Sequence, residues 1–309
     1  MTVLVVVIDS NNFLVKGILK KLIKYAKPSI WSYEEMLSRS KKDNTSKKVF
    51  YLTPAGDKIL VSKVKKLIKD NRLKVINSLD LQLFDKPQFD EIFARNNINY
   101  PDSILTKSSA EAVDFISKHE TAIIKLRNDC GGSGHFIVND RYAYSSGGKK
   151  YFLNFLDGCF TERREIFRKN LFVSPPFYIQ KFIIPDNHSV WRAYIVGSEV
   201  KFFSTRKRDF YENLGDYIIN VAKGAKYYFP DGDHEVEKLC DKFAKSINLE
   251  IGAIDFIFHK GVPYFLEVNC EGVWFLICRK FYESPYYNSK KHNLDKFITE
   301  HLGEFDKKA

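Results

Sequence analysis

GAIDFIFHKGVPYFLEVNCEG, residues 252–272, is the stretch whose reading decides the fold. Residues 253–259 and 263–269 are runs of β-branched and aromatic side chains on either side of Lys260-Gly261-Val262, the pattern of a hairpin with a short glycine-containing loop. A three-residue loop sets His259 opposite Pro263, Ile257 opposite Phe265 and Asp255 opposite Glu267, with Asn269 two residues further along the same face. Two carboxylates opposed in this way repel unless a cation lies between them. Mg²⁺ suits such a place, because it prefers one or two carboxylates together with the oxygens of a bound phosphate. That chemistry points to a nucleoside triphosphate. The competing reading is a solvated hairpin face, and a two-residue loop would turn Asp255 to the opposite side.

Outward from the hairpin, composition narrows the possibilities. The chain has 309 residues, 44% of them hydrophobic, enough for a large core in two or three units. The opening MTVLVVVIDS lacks the basic flank and length of a signal peptide and reads as a buried strand; no apolar run approaches a membrane span. Five cysteines without a C-x-x-C pair indicate neither a disulfide framework nor a zinc knuckle, so a reducing, cytoplasmic setting is expected. Lys and Arg exceed Asp and Glu by 49 to 38, a formal charge of +11 that attracts anions without choosing among them. Much of the excess falls on lysine-rich helical stretches, 16–27 and 63–74, and reads as a solvated face rather than a nucleic-acid groove.

Strands at 3–8, 49–52 and 75–77 alternate with helices at 13–25 and 57–70, which predicts a small α/β unit with a parallel sheet. Helices follow at 84–96 and 108–118, with Ser108 or Ser109 as cap, and Pro101 holds the chain extended between them. A strand at 121–126 runs into the glycine loop CGGSG, and 136–138 returns as its partner. Residues 147–170 are charged and mixed. Strands then resume, and helices at 235–247 and 293–302 flank the hairpin.

Gly131, Gly132, Ser133 and Gly134 let backbone N–H groups approach a phosphate closely. The loop lacks the G-K-[ST] ending and leads into a strand, so it is neither a P-loop nor a dinucleotide fingerprint. A tight turn with no ligand is the alternative. Lys125, six residues before Gly131, adds a charge that could reach the same phosphates.

Taken in order, these motifs resemble the ATP-grasp superfamily of carboxylate-amine ligases, most closely the RimK and glutathione synthetase type. The resemblance implies an α/β (α+β) ATP-grasp fold with an N-terminal parallel-sheet domain over 1–84, a central and lid subdomain over 85–183, and a C-terminal subdomain with the metal site over 184–309. It also implies ATP-binding roles for Lys86 and Lys125, the glycine loop, the hinge Gln180, Lys181, Phe182 and Ile183, and Asn220 with Gly224 in NVAKGA. Arg192 and Arg206 match two arginines that hold the substrate carboxylate and its phosphate, and Asp255, Glu267 and Asn269 match the magnesium ligands. The chain departs from the family pattern at Lys181 and Val190, where acids are usual, and at Cys270 and Glu271, where a small residue and proline are usual. Asp186 is the candidate ribose contact. The ending NCEGVWFLI, with Gly272 and Trp274, is similar to the peptide-modifying microviridin-type branch.

The resemblance therefore implies an ATP- and Mg²⁺-dependent ligase, with two ions and Mn²⁺ as the alternative metal, joining a carboxylate donor to an amine acceptor through an acyl phosphate. The substrates would be amino acids or peptides, with no role for nucleic acid or membrane, and a homo-oligomer is compatible with it. The rival reading is a non-catalytic ATP-binding regulatory or partner-binding module on the same fold.

Overall fold

The computed structural model describes residues 3–8, 29–39, 48–52, 58–71, 73–77, 81, 84–125, 134–139, 142–145, 149–154, 159–163, 168–172, 175–209, 211, 213–219, 224–270 and 279–307. The expected helix over 13–25, together with Gly131, Gly132, Ser133, Asn220, Glu271, Gly272 and Trp274, lies outside them.

The first sheet is parallel, in the order β2-β1-β3-β4, from β1 (Val3–Ile8), β2 (Ser29–Ser32), β3 (Lys48–Leu52) and β4 (Lys74–Ile76). Val5 and Val7 of β1 are fully buried and pack with Trp31, Met36, Val64 and Leu67. Helices α1 (Tyr33–Arg39) and α2 (Lys58–Asn71) cover the sheet. β2 and α1 are absent from the sequence reading, although Ser32 and Glu35 form a capping box: the Ser32 hydroxyl accepts from the Glu35 N–H, and the Glu35 carboxylate accepts from the Ser32 N–H.

The second sheet is antiparallel, eight strands in the order β11-β10-β9-β8-β7-β6-β12-β5. It comprises β5 (Ser103–Thr106), β6 (Ala122–Lys125), β7 (His135–Val138), β8 (Tyr142–Ser145), β9 (Lys150–Asn154), β10 (Cys159–Arg163), β11 (Arg168–Phe172) and β12 (Phe177–Lys181). Strands β9 to β11 occupy much of the stretch that the sequence left as charged and mixed. Helix α3 (Lys86–Arg95) precedes β5, and α4 (Ser109–His119) lies on the apolar face with Ile116, Ile124 and Ile179. Ser108 caps α4 by accepting from the Glu111 N–H.

The third sheet is antiparallel, β15-β14-β13-β16-β17, from β13 (Ser189–Val196), β14 (Glu199–Lys207), β15 (Lys226–Tyr228), β16 (Ile251–His259) and β17 (Val262–Asn269). One face joins α3 and α5 (His234–Ser246) in a core of Phe93, Phe243, Phe256 and Phe265. Two helices close the chain, α6 (Arg279–Tyr282) and α7 (Leu294–Lys307), and α7 returns to β1 and β13. No helix of the described residues is long and apolar enough to cross a membrane.

The hairpin differs from the expected register near its turn. The loop is two residues, Lys260 and Gly261, both at positive φ as a tight primed turn requires, so His259 pairs with Val262 and Ile257 with Tyr264. Left alone, that register would turn Asp255 away from Glu267. A bulge at Leu266, between the Phe256–Phe265 and Asp255–Glu267 pairs, restores the opposition.

Asn77 ties the first sheet to the hairpin. Buried and at positive φ, it donates from Nδ2 to the carbonyls of Ile251 (2.6 Å) and Cys270 (3.2 Å), and its Oδ1 accepts from the N–H groups of Glu250 and Ile251. Cys270 adds a second tie by donating its thiol to the Leu81 carbonyl. Asn77→Ala strips four backbone groups of their partner and should cost about 3 kcal/mol or more, seen as earlier denaturant unfolding. Asn77→Asp should not rescue the loss, because it keeps the two acceptors but sets a carboxylate against two carbonyls.

Candidate functional site

Cross-strand pairing places the candidate residues of the third sheet on one face. Arg192 on β13 stands opposite both Asp255 on β16 and Ser204 on β14, and Asp255 stands opposite Glu267 on β17. Arg206 is two residues from Ser204, and Asn269 two from Glu267, so alternation returns both to that face. The other face is core, through Ala193, Phe203, Ile254 and Val268.

The cation beside Asp255 is supplied by the protein. Arg192 grips it with two bonds, Nε to Oδ1 at 2.5 Å and Nη2 to Oδ2 at 2.7 Å, and Arg206 Nη2 shares Oδ2 at 2.9 Å. Side-chain exposure is 8% for Arg192, 4% for Asp255 and 15% for Arg206, which places the cluster in the interior. Burial alone would raise the Asp255 pKa, but the two guanidiniums outweigh it and hold the carboxyl well below the usual range. The Nε of Arg206 and the amide nitrogen of Asn269 are shielded from solvent and have no hydrogen-bond partner among the described residues.

The second sheet faces this cluster with another set of charges. Lys125 is opposite Tyr178 and His135, and Gln180 is opposite Ile123 and Ser103, so these side chains share a face. Burial lowers the Lys125 pKa to about 8; Glu267 and Asp255 across the gap oppose the shift, and Lys86, at the start of α3, adds to it. Lys125 thus lies within the electrostatic reach of Lys86, Asp255 and Glu267.

Beneath Lys125 lies a group that the sequence reading missed. Asp90, buried on α3, accepts from the Ser103 hydroxyl at 2.5 Å, the Tyr178 hydroxyl at 2.6 Å and the Gln180 amide at 3.3 Å. Burial raises its pKa, against the pull of these bonds and of Lys125. The available signal was an acid adjoining the Phe89–Phe93 stripe of an amphipathic helix, where an exposed residue would be expected to lie elsewhere. The Gln180 amide nitrogen is committed to this network, while its Oε1 is shielded from solvent and has no hydrogen-bond partner among the described residues. In the hinge backbone, the Lys181 and Phe182 N–H groups already bond the carbonyls of Asp102 and Thr121. Ile183 offers the hinge N–H with no backbone partner among the described residues. The hinge also lines a cavity of about 440 Å³, with Tyr100, His259 and Tyr264 on its other walls.

Asp186, the candidate ribose contact, stands at the hairpin turn. Its two carboxylate oxygens accept from the Lys260 and Gly261 N–H groups at 3.0 and 2.8 Å, so it caps the hairpin turn. Gly134 is buried at the start of β7, and Gly224 adopts positive φ in an exposed turn.

The two carboxylates of the hairpin should therefore behave differently. Asp255→Asn leaves two interior guanidiniums without their counter-charge and should destabilise the ligand-free protein by about 3–5 kcal/mol. Glu267→Gln, whose carboxylate no guanidinium among the described residues contacts, should leave thermal unfolding nearly unchanged. Equal melting of the two variants by differential scanning calorimetry would contradict this geometry.

A model of the RimK-like ATP-grasp domain matches residues 84–274, a span that includes α3 and the hairpin. Tetrahydromethanopterin:alpha-L-glutamate ligase of Methanocaldococcus jannaschii is 30% identical over 181 residues, 58% of this chain and 55% of that protein; the chain spans about half the length of the curated relative it matches. ATP-grasp ligase PsnB, solved with a phosphomimetic variant of its minimal precursor, Mg and ADP, superposes with a TM-score of 0.62 at 13% identity over 99% of each chain. D-alanine–D-alanine ligase from Bacillus anthracis, complexed with ATP, gives 0.58 at 13% identity over the whole of each chain. At such identities the superpositions establish the fold. The chain belongs to the RimK-like ATP-grasp domain family, and its two antiparallel sheets form the ATP-grasp fold behind a parallel-sheet unit.

Proposed function

We propose that this protein is an ATP-dependent carboxylate-amine ligase that forms an amide through an acyl phosphate, with an amino acid or a peptide as substrate. The observation that carries the reading is the convergence of Arg192, Arg206, Asp255 and Glu267 on one face across from Lys125 and Lys86. A glutamate ligase among its relatives and a precursor-bound peptide ligase among its structural neighbours support the substrate class. The domain division at 84 and 183 belongs to the same proposal.

Asp255, Glu267 and Asn269 fit a hard divalent cation, since all three can present oxygen and the unpartnered Asn269 amide can turn its oxygen to the same face. Magnesium held there would supply positive charge to the phosphates. Before it binds, two guanidiniums cancel two carboxylates, so the bare cluster has little net attraction for a cation. A metal would therefore be held there only with the negative charge of the nucleotide beside it, and Arg206, the more exposed of the two arginines, would be the one to leave Asp255.

The remaining chemistry falls to the chain's own cations. A substrate carboxylate oxygen attacks the γ-phosphorus and ADP leaves; Lys86 and Lys125 offset charge on the non-reacting phosphate oxygens. Arg206 and Arg192 hold the resulting acyl phosphate, a task that suits the planar fork of a guanidinium. The amine nitrogen then attacks the acyl carbon, phosphate departs, and the nitrogen loses its proton.

Hydroxylamine in place of the amine should trap a hydroxamate of the donor carboxylate, with ADP and phosphate released in equal amounts. AMP and pyrophosphate as products would reject the acyl-phosphate route, and nucleotide binding with no turnover of any amino acid or peptide would favour the non-catalytic module. Lys125 supplies a second check. It is charged below a pKa of about 8 and neutral above, so affinity for Mg·ATP should fall as pH rises from 7 to 9, with proton uptake on binding. Lys125→Arg should flatten that profile in calorimetric titrations.

A further inference from the structure

The strand that follows the glycine loop carries a group for which the ligase reading has no use. His135 opens β7 directly opposite Lys125, so both side chains rise from the same face of the second sheet. Its Nε2 is shielded from solvent and has no hydrogen-bond partner among the described residues. A buried polar atom left in that state costs stability unless something else satisfies it. Burial, and after it the neighbouring Lys125 and Lys86, push the imidazole pKa well below its usual value, so the ring is neutral and keeps a single N–H. Two lysines at the same spot create a potential that selects an anion, and an anion oxygen at Nε2 selects in turn the tautomer that carries its hydrogen there.

We infer that His135 is a nucleotide-binding residue that donates its Nε2 hydrogen to a phosphate oxygen of ATP. The inference rests on the ATP-binding reading and adds a neutral donor to the two ammoniums. It differs from a histidine that merely fills the core, because the bond it makes depends on the phosphates and not on the base or ribose.

Calorimetric titration of the full chain with Mg·ATP, Mg·ADP and adenosine separates these possibilities. His135→Phe keeps the ring's bulk and removes the donor. It should weaken binding of both nucleotides roughly ten- to a hundredfold, the range for a hydrogen bond to a charged group, and leave adenosine unchanged. His135→Gln should restore most of the loss, since its amide offers an N–H at a similar reach. Unchanged nucleotide affinity in His135→Phe, or an equal loss for adenosine, overturns the inference. A wild-type protein that binds none of the three ligands overturns the ATP reading itself, and the inference with it. Nitrogen-15 spectra of the wild-type imidazole provide the same test without substitution. The Nε2 resonance should move on adding Mg·ADP and stay put on adding adenosine; no movement with Mg·ADP also overturns the assignment.

Discussion

Asp255 accepts three hydrogen bonds from two guanidiniums in a place where water reaches none of the three side chains freely. Such a cluster tolerates little error, because an interior charge without its partner costs several kcal/mol. Three strands must therefore hold register at once: β13 to bring Arg192 beside Asp255, β14 to bring Arg206 within reach, and β17 to set Glu267 opposite. The bulge at Leu266 is part of the same requirement. Without it the tight Lys260-Gly261 turn would move Glu267 out of line.

The scaffold around the cluster uses uncharged or singly charged polar groups as joints. Asn77 satisfies four backbone groups at the base of the hairpin, and Asp186 closes its tip, so the strand pair bearing the carboxylates is fixed at both ends. On the opposing sheet, Asp90 gathers Ser103, Tyr178 and Gln180 beneath Lys125. That buried acid offsets part of the field of the lysine above it while committing the Gln180 amide nitrogen to the protein. Rigid joints on both sides leave the arginine–carboxylate contacts as the ones able to change partner when ligands arrive.

Much of this was legible in the sequence, and the gaps have physical causes. Alternating runs on either side of Lys260-Gly261 identified the hairpin, and the opposition of Asp255 to Glu267 follows even though the turn has two residues where three were expected. The bulge that reconciles them leaves no mark, because Phe265 and Leu266 are both ordinary strand residues. Arg192 and Arg206 were recognised through family resemblance, yet their common partner was not, since pairing across strands 49 and 63 residues away in sequence has no local signature. The reach of Asn77 to Ile251 is longer still, 174 residues. Ser32 and Glu35 differ in kind: their capping box was present in the sequence as S-x-x-E ahead of an apolar residue, and α1 could have been read from it. Strands β9 to β11 escaped notice because charges interrupt the apolar alternation that marks a strand.

The central claim is that Asp255 exchanges a guanidinium for a metal when nucleotide binds. A crystal structure with Mn²⁺ and a non-hydrolysable ATP analogue tests it most directly, because anomalous scattering locates the ion independently of the surrounding density. The account predicts Mn²⁺ on Asp255, Glu267 and Asn269, with Arg206 released from Asp255 and turned toward the terminal phosphate. A nucleotide-bound structure in which both arginines still grip Asp255, with the ion elsewhere, would contradict it.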